Sequence, residues 1–208
     1  MSLQHWNAPD INPYVKKVKA LVITCIDPRF TYFLSWFLNH EKEIHDSYDL
    51  FALAGSSMCA LNTTTYPKLV GTGTTLPSTT PWLTTLDNHV TLASALHSIA
   101  EIWIFDHLGC GAYQNYISND SVSIHVQGMG ALQTHISANY PNIKFKTFLM
   151  DLEGNIDLYS STGGLDYKRF TLSSYSPQVL PWVLFYVTVF LWFASMAAIL
   201  RYVTTGGY

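Results

Sequence analysis

The sequence predicts an α/β fold, a mainly parallel sheet flanked by helices, followed by one C-terminal transmembrane helix. Three observations carry that expectation. Short continuous apolar runs, Ala20 to Cys25 (ALVITC) and Glu101 to Phe105 (EIWIF), have the pattern of strands buried on both faces. Segments with apolar residues at helical spacing, Phe30 to His40 and Asp87 to Ala100, alternate with such runs, as strand–helix–strand units do. Finally, the 22 residues from Val179 to Leu200 (VLPWVLFYVTVFLWFASMAAIL) contain no charge. At about 1.5 Å rise per residue, that helix spans about 33 Å, enough for a bilayer core of about 30 Å.

Along the chain, residues 1–17 are polar, hold Pro9 and Pro13, and read as an N-terminal arm. Residues 18–165 form the α/β domain. Its first strand, Ala20 to Cys25, leads into the helix Phe30 to His40; Asp49 to Ala54 is the second strand, turned by Gly55-Ser-Ser. Residues 59–81 (CALNTTTYPKLVGTGTTLPSTTP) are rich in Thr, Pro and Gly without a period, and read as a long loop or insertion. Asp87 is placed to cap the next helix, with Val90, Ala93, Leu96, His97 and Ala100 along one side. A third strand, Glu101 to Phe105, delivers Asp106-His107-Leu-Gly-Cys110, and Gln127 to Asn139 suggests another helix, broken before Pro141. Lys144 to Met150 and Asn155 to Tyr159 flank Asp151-Leu-Glu-Gly154 and read as a last strand turning back as a hairpin. Residues 166–178 are a linker and 179–203 the membrane helix, with Trp182, Tyr186, Trp192 and Tyr202 as interfacial anchors.

Composition agrees with a membrane-tethered domain. Charged residues are 12% of the chain, against roughly 25% in ordinary soluble domains, and hydrophobic residues 49%. Only Arg201 to Tyr208 follow the apolar run, which reads as a tail anchor, and MSLQHWNAPDINPYVKKVKA offers no secretory signal. The expected topology keeps residues 1–178 on the cytosolic or equivalent reducing side of a membrane. A net charge of −3 gives no basic footprint for nucleic acid. Three cysteines, an odd number, argue against a disulfide framework and suit free thiolates in a reducing compartment.

The chemistry is concentrated in two short motifs, Cys25-Ile-Asp-Pro-Arg29 and His107-Leu-Gly-Cys110. Two thiols and an imidazole are three ligands for a tetrahedral Zn2+, which leaves a fourth position for water or a carboxylate. In a parallel sheet, ligands gather at the carboxyl ends of strands, where both motifs stand. Asp27 and Arg29 are two apart, so on an extended backbone they point the same way as Cys25, and an arginine can hold a carboxylate ionised by paired hydrogen bonds. Asp106, beside a ligand, is placed to orient His107 as an acceptor or to stand solvated at the strand end. His40, His45, His89, His97, His125 and His135 lack ligand spacing and read as surface or core residues.

These residues, in this order, resemble the β-class carbonic anhydrases, whose motifs read Cys-x-Asp-x-Arg and His-x-x-Cys. The resemblance runs from about Lys19 to Tyr159 and implies that family's fold. It implies zinc on Cys25, His107 and Cys110, with Asp27 accepting a hydrogen bond from a zinc-bound hydroxide and Arg29 fixing Asp27. The implied activity is that of a carbonate dehydratase, a zinc lyase turning carbon dioxide and water into bicarbonate and a proton, and the implied state is a homodimer. Four features depart from the family: Ala52-Leu53 stand where Arg-Asn are usual, residues 59–81 are inserted, the helical segment after Cys110 is short, and a long N-terminal helical arm is lacking.

Two functions therefore stand at the level of sequence. One is a membrane-anchored zinc carbonic anhydrase, favoured by the complete ligand set. The other is a non-catalytic structural subunit of a membrane-bound assembly, such as a respiratory complex or a virus particle. The lost Arg-Asn pair, the insertion and the anchor favour that second reading.

Overall fold

The computed structural model describes residues 18–45, 47–71, 76–159 and 168–171. The chain divides into two compact units, Met1–Thr171 and Leu172–Tyr208. The second unit, and with it the expected membrane helix at 179–203, lies outside the described residues, as does the arm at 1–17. No helix among the described residues is long and apolar enough to cross a membrane.

The described residues form an α/β fold around a mixed sheet. Its strands are β1 (Ala20–Thr24), β2 (Tyr48–Ala52), β3 (Glu101–His107), β4 (Lys144–Met150), β5 (Asn155–Tyr159) and β6 (Lys168–Thr171). They lie in the order β2-β1-β3-β4-β5-β6. The first four are parallel, β5 runs antiparallel to β4, and β6, antiparallel to β5, takes the direction of the first four again. All five residues of β1 are buried, as the run ALVIT requires of a central strand covered on both faces. The short strand β6 falls in what reads from sequence as linker; KRFT is too brief and too polar to signal a strand, and its pairing to β5 makes it one.

Among the described residues, three α-helices cover the sheet: α1 (Pro28–Trp36), α2 (Thr80–His97) and α3 (Val122–Ser137). Period-2 alternation sorts the strand residues between two faces. Leu21, Ile23, Ile102 and Ile104 join the core formed with Leu86, Val90 and Ala93 of α2 and Met129, Leu132 and Ile136 of α3. On the other face, Phe37, at the end of α1, meets Phe105, Phe148 and Phe170 edge-on at ring-centre distances of 5.9, 5.4 and 5.0 Å.

Three local expectations are corrected. Asp87 is not a cap: α2 begins seven residues earlier, at Thr80, with Pro81 in its first turn, and Asp87 pairs with His135 of α3 at 2.8 Å. Leu96 is exposed, because α2 buries Leu86, Val90 and Ala93 and that face has turned away by position 96. The segment 59–81 is not a bare loop either. Single 3-10 turns at Ser56–Ala60 and Pro67–Val70 seat Leu61 and Leu69 in a small core with Cys110, Tyr113, Tyr116 and Ile124.

Candidate metal centre

Adjacent parallel strands bring the two motifs together. Cys25 follows β1, and His107 is the last residue of β3, its neighbour in the sheet. After His107 the chain turns tightly so that Cys110 comes back beside it. Gly109 makes that turn at φ +71°, where a side chain would be strained and would also meet Leu152 at 3.2 Å. As a result, a ligand atom from each of Cys25, His107 and Cys110 lies within 4.8 Å of the other two.

The donor set fits a soft divalent cation such as zinc. His107 Nδ1 lies 3.0 Å from the carbonyl of Leu108; a carbonyl only accepts, so Nδ1 carries the proton. The other nitrogen, Nε2, is buried beside the two sulfurs and has no hydrogen-bond partner among the described residues. A buried unsatisfied nitrogen is costly unless something coordinates it. The ring is held further by Phe30, whose centre is 4.2 Å from that of the imidazole.

Electrostatics favour thiolate at Cys25. The Cys110 thiol donates to the Cys25 sulfur and, with His107 and the Gly55 backbone N–H at 3.4 Å, lowers the Cys25 pKa to about 4 against the opposing effect of burial. Accordingly the Cys110 thiol is pushed up, since its proton is the one shared with Cys25, and burial adds to this. The closeness that makes the two sulfurs share a proton is the closeness a metal ion would use, displacing protons from its ligands. Cys59 is a different case: burial pushes its thiol up to about 12, and it stands apart from the cluster.

Asp27 and Arg29 come together by a different route from the extended backbone expected. The chain enters α1 at Pro28, and Asp27 is the helix cap, its Oδ1 accepting the Arg29 backbone N–H at 3.0 Å. Arg29, in the first turn, folds its guanidinium back over the cap. Its Nε donates to both carboxylate oxygens at 3.0 and 3.2 Å, and one terminal nitrogen donates to Oδ2 at 2.7 Å. Arg29 therefore holds the Asp27 carboxyl down at about 2. Asp27 Oδ2 lies 3.9 Å from His107 Nε2, at the edge of the ligand cluster. The same guanidinium donates to the carbonyl of Gly109 at 2.7 Å, which ties the first motif to the turn of the second.

Asp106 does not orient His107, whose Nδ1 is taken by Leu108. It is buried, and its carboxylate accepts from the Ser57 N–H at 3.2 Å, the Ser57 hydroxyl at 2.7 Å, the Tyr113 hydroxyl at 2.8 Å and His125 Nδ1 at 3.0 Å. Two contributors had no ligand spacing to reveal them. Asp120 accepts the backbone N–H groups of Gly109 and Cys110 at 2.6 and 3.2 Å, and His125, fully buried in α3, bridges Asp120 to Asp106. A cavity of about 400 Å³ lies beside Cys25, bounded also by Ile26, Phe30, Leu34, Leu50 and Ala52; His107 and Cys110 do not line it. It is mostly apolar.

No family model matches the chain. Among curated proteins it is similar to an uncharacterized protein of Rickettsia bellii, 25% identical over 150 residues that cover 69% of this chain and 82% of that one. It is similar also to an uncharacterized protein of Rickettsia conorii, at 23% over 150 residues, 69% of this chain and 73% of that one. Among solved structures, the carbonic anhydrase of Streptococcus mutans superposes with a TM-score of 0.43 at 12% identity, over 68% of this chain and 81% of that chain. The β-carbonic anhydrase CafA of Aspergillus fumigatus gives a TM-score of 0.43 at 11% identity, over 70% and 77%.

Proposed function

We propose that this chain is a zinc-dependent carbonic anhydrase, tethered to a membrane by residues 179–203, that hydrates carbon dioxide to bicarbonate and a proton. The observation that carries the reading is the buried Nε2 of His107, without a hydrogen-bond partner among the described residues, grouped with two cysteine sulfurs and flanked by a carboxylate that an arginine holds ionised. Cys25 Sγ, His107 Nε2 and Cys110 Sγ would hold the metal. Zinc so bound supplies Lewis acidity that lowers the pKa of water to about 7.

The chain's own groups do the rest. Arg29 keeps Asp27 ionised and occupies both of its oxygens, so the carboxylate is restrained at the edge of the cluster rather than free to enter it. From there Asp27 is an acceptor for the attacking water and orients its lone pair toward the substrate. These are the roles that the resemblance to the β-class carbonic anhydrases implies for Asp27 and Arg29. The apolar cavity beside Cys25 and Phe30 suits a small, uncharged gas.

The second reading, a structural subunit of a membrane-bound assembly, keeps one specific support. Ala52 and Leu53 leave that side of the site without the polar pair the motif's relatives carry, and the exposed Ala52 and Leu50 make an unprotected edge on β2. Stopped-flow carbon dioxide hydration by detergent-purified, zinc-loaded protein separates the two. The enzyme reading expects activity that Cys110→Ser abolishes. A protein with one zinc per chain and no activity would make the metal a structural staple.

A further inference from the structure

We propose that His125 is a positioning residue of the metal centre, acting through Asp120 to fix the turn that presents Cys110. The inference rests on the metal reading above and concerns residues that the ligand motifs do not contain.

His125 lies in the first turn of α3, fully buried, with a carboxylate at each ring nitrogen: Asp106 at Nδ1, 3.0 Å, and Asp120 at Nε2, 2.9 Å. Carboxylates accept, so both nitrogens donate and the ring is an imidazolium clamped from both sides. The ring also packs on Tyr113 at 3.9 Å between centres, so it has no freedom to flip. On the Asp120 side the path ends at the metal turn, because that carboxylate takes the N–H groups of Gly109 and Cys110. On the Asp106 side it ends at Ser57, in the turn that follows Gly55, whose own N–H donates to the Cys25 sulfur. His125 therefore stands between the two turns that present the two sulfurs. Without it, Asp120 would lose its buried cationic partner and be drawn toward solvent, leaving the N–H of Cys110 without its acceptor. Loss of partners that orient metal ligands typically weakens metal affinity by about 10- to 100-fold.

The two nitrogens allow a test that a purely structural role would fail. An asparagine places its amide where Nδ1 stands and keeps the Asp106 contact; a glutamine reaches the place of Nε2 and keeps the Asp120 contact. Full-length protein in detergent would be titrated anaerobically with Co2+, reading the sulfur-to-cobalt charge-transfer band, with competition by Zn2+ for affinity. Expected is a tetrahedral thiolate spectrum for the wild type, with His125→Gln close to it and with His125→Asn and Asp120→Asn about 10- to 100-fold weaker in metal affinity. Tyr113→Phe, which removes a hydroxyl that touches Asp106 and Ser57 but neither His125 nitrogen nor Asp120, should lower the melting temperature of metal-free protein and leave cobalt affinity unchanged. Should His125→Asn fail to fold, Asp120→Asn, on a less buried loop, carries the same expectation. Wild-type affinity in both Asp120→Asn and His125→Asn would overturn the proposal, as would equal losses in the Gln and Asn variants of His125. A wild type without the charge-transfer band would overturn the metal reading itself, and this inference with it.

Discussion

Arg29 joins the two ligand-bearing motifs, since its guanidinium grips both oxygens of Asp27 and also the carbonyl of Gly109. Arg29→Gln cuts both links while touching no ligand atom. We expect it to lower the rate of carbon dioxide hydration by about 100-fold with zinc content per chain unchanged, read by stopped flow beside metal analysis; a loss of zinc in step with activity would assign Arg29 to holding the fold. Metal removal tests the sulfurs. Without metal, Cys25 has the lowered thiol and Cys59 the raised one, at about 4 and about 12. Chelated protein treated with iodoacetamide at neutral pH should therefore be alkylated at Cys25 before Cys59, and zinc should block it, as peptide mass mapping would show. His125 gives a pH dependence. Burial lowers its pKa, but Asp106 and Asp120 outweigh burial and raise it. A raised histidine contributes stability that is complete below its ordinary pKa of about 6.5 and fades as pH rises through the folded value. The stability gap between wild type and His125→Gln in urea should then be wider at pH 6 than at pH 9.

Among the elements, α3 packs on Ser57 and Tyr113, behind the turns that present the two sulfurs. Every fourth position, Ile124, Gly128, Leu132 and Ile136, is buried, and the absence of a side chain at Gly128 lets the helix sit on Ser57 and Tyr113. A Cβ there would collide with the Tyr113 hydroxyl and stand 2.8 Å from Ser57 Oγ. Gly128→Ala is expected to destabilise the fold by about 1–3 kcal/mol in urea unfolding, the cost of overpacking, despite alanine's better helix propensity. The strands were legible in the sequence wherever apolar residues run unbroken, as in β1 and β3. The start of α2 was not, because Thr79 makes no side-chain cap and the turn before it is polar, so Asp87 looked like the better start. At the site, Cys25, His107 and Cys110 were legible because metal chemistry demands those residue types at strand ends. Asp120 and His125 were not: their contacts join a turn, a helix and a buried aspartate across spacings of 5 to 19 residues that no ligand pattern marks.

At the scale of the whole molecule, the domain with the metal centre and the apolar run at 179–203 make separate demands. The uncharged run predicts that the full-length chain stays with membranes through an alkaline carbonate wash, and release into the supernatant would remove the anchor from the account. The edge strand β2 exposes Leu50 beside the apolar cavity, a surface that in water favours pairing with a second chain. Both demands leave untouched the claim on which the rest depends, that the paired strand ends β1 and β3 build a metal site with one position open. The zinc K-edge X-ray absorption spectrum of full-length protein, purified without added chelator, tests it most directly. The account predicts two sulfur scatterers at about 2.3 Å and two nitrogen or oxygen scatterers at about 2.0–2.1 Å, one of them imidazole. A zinc shell of nitrogen and oxygen alone, or protein that takes up no zinc, would contradict it.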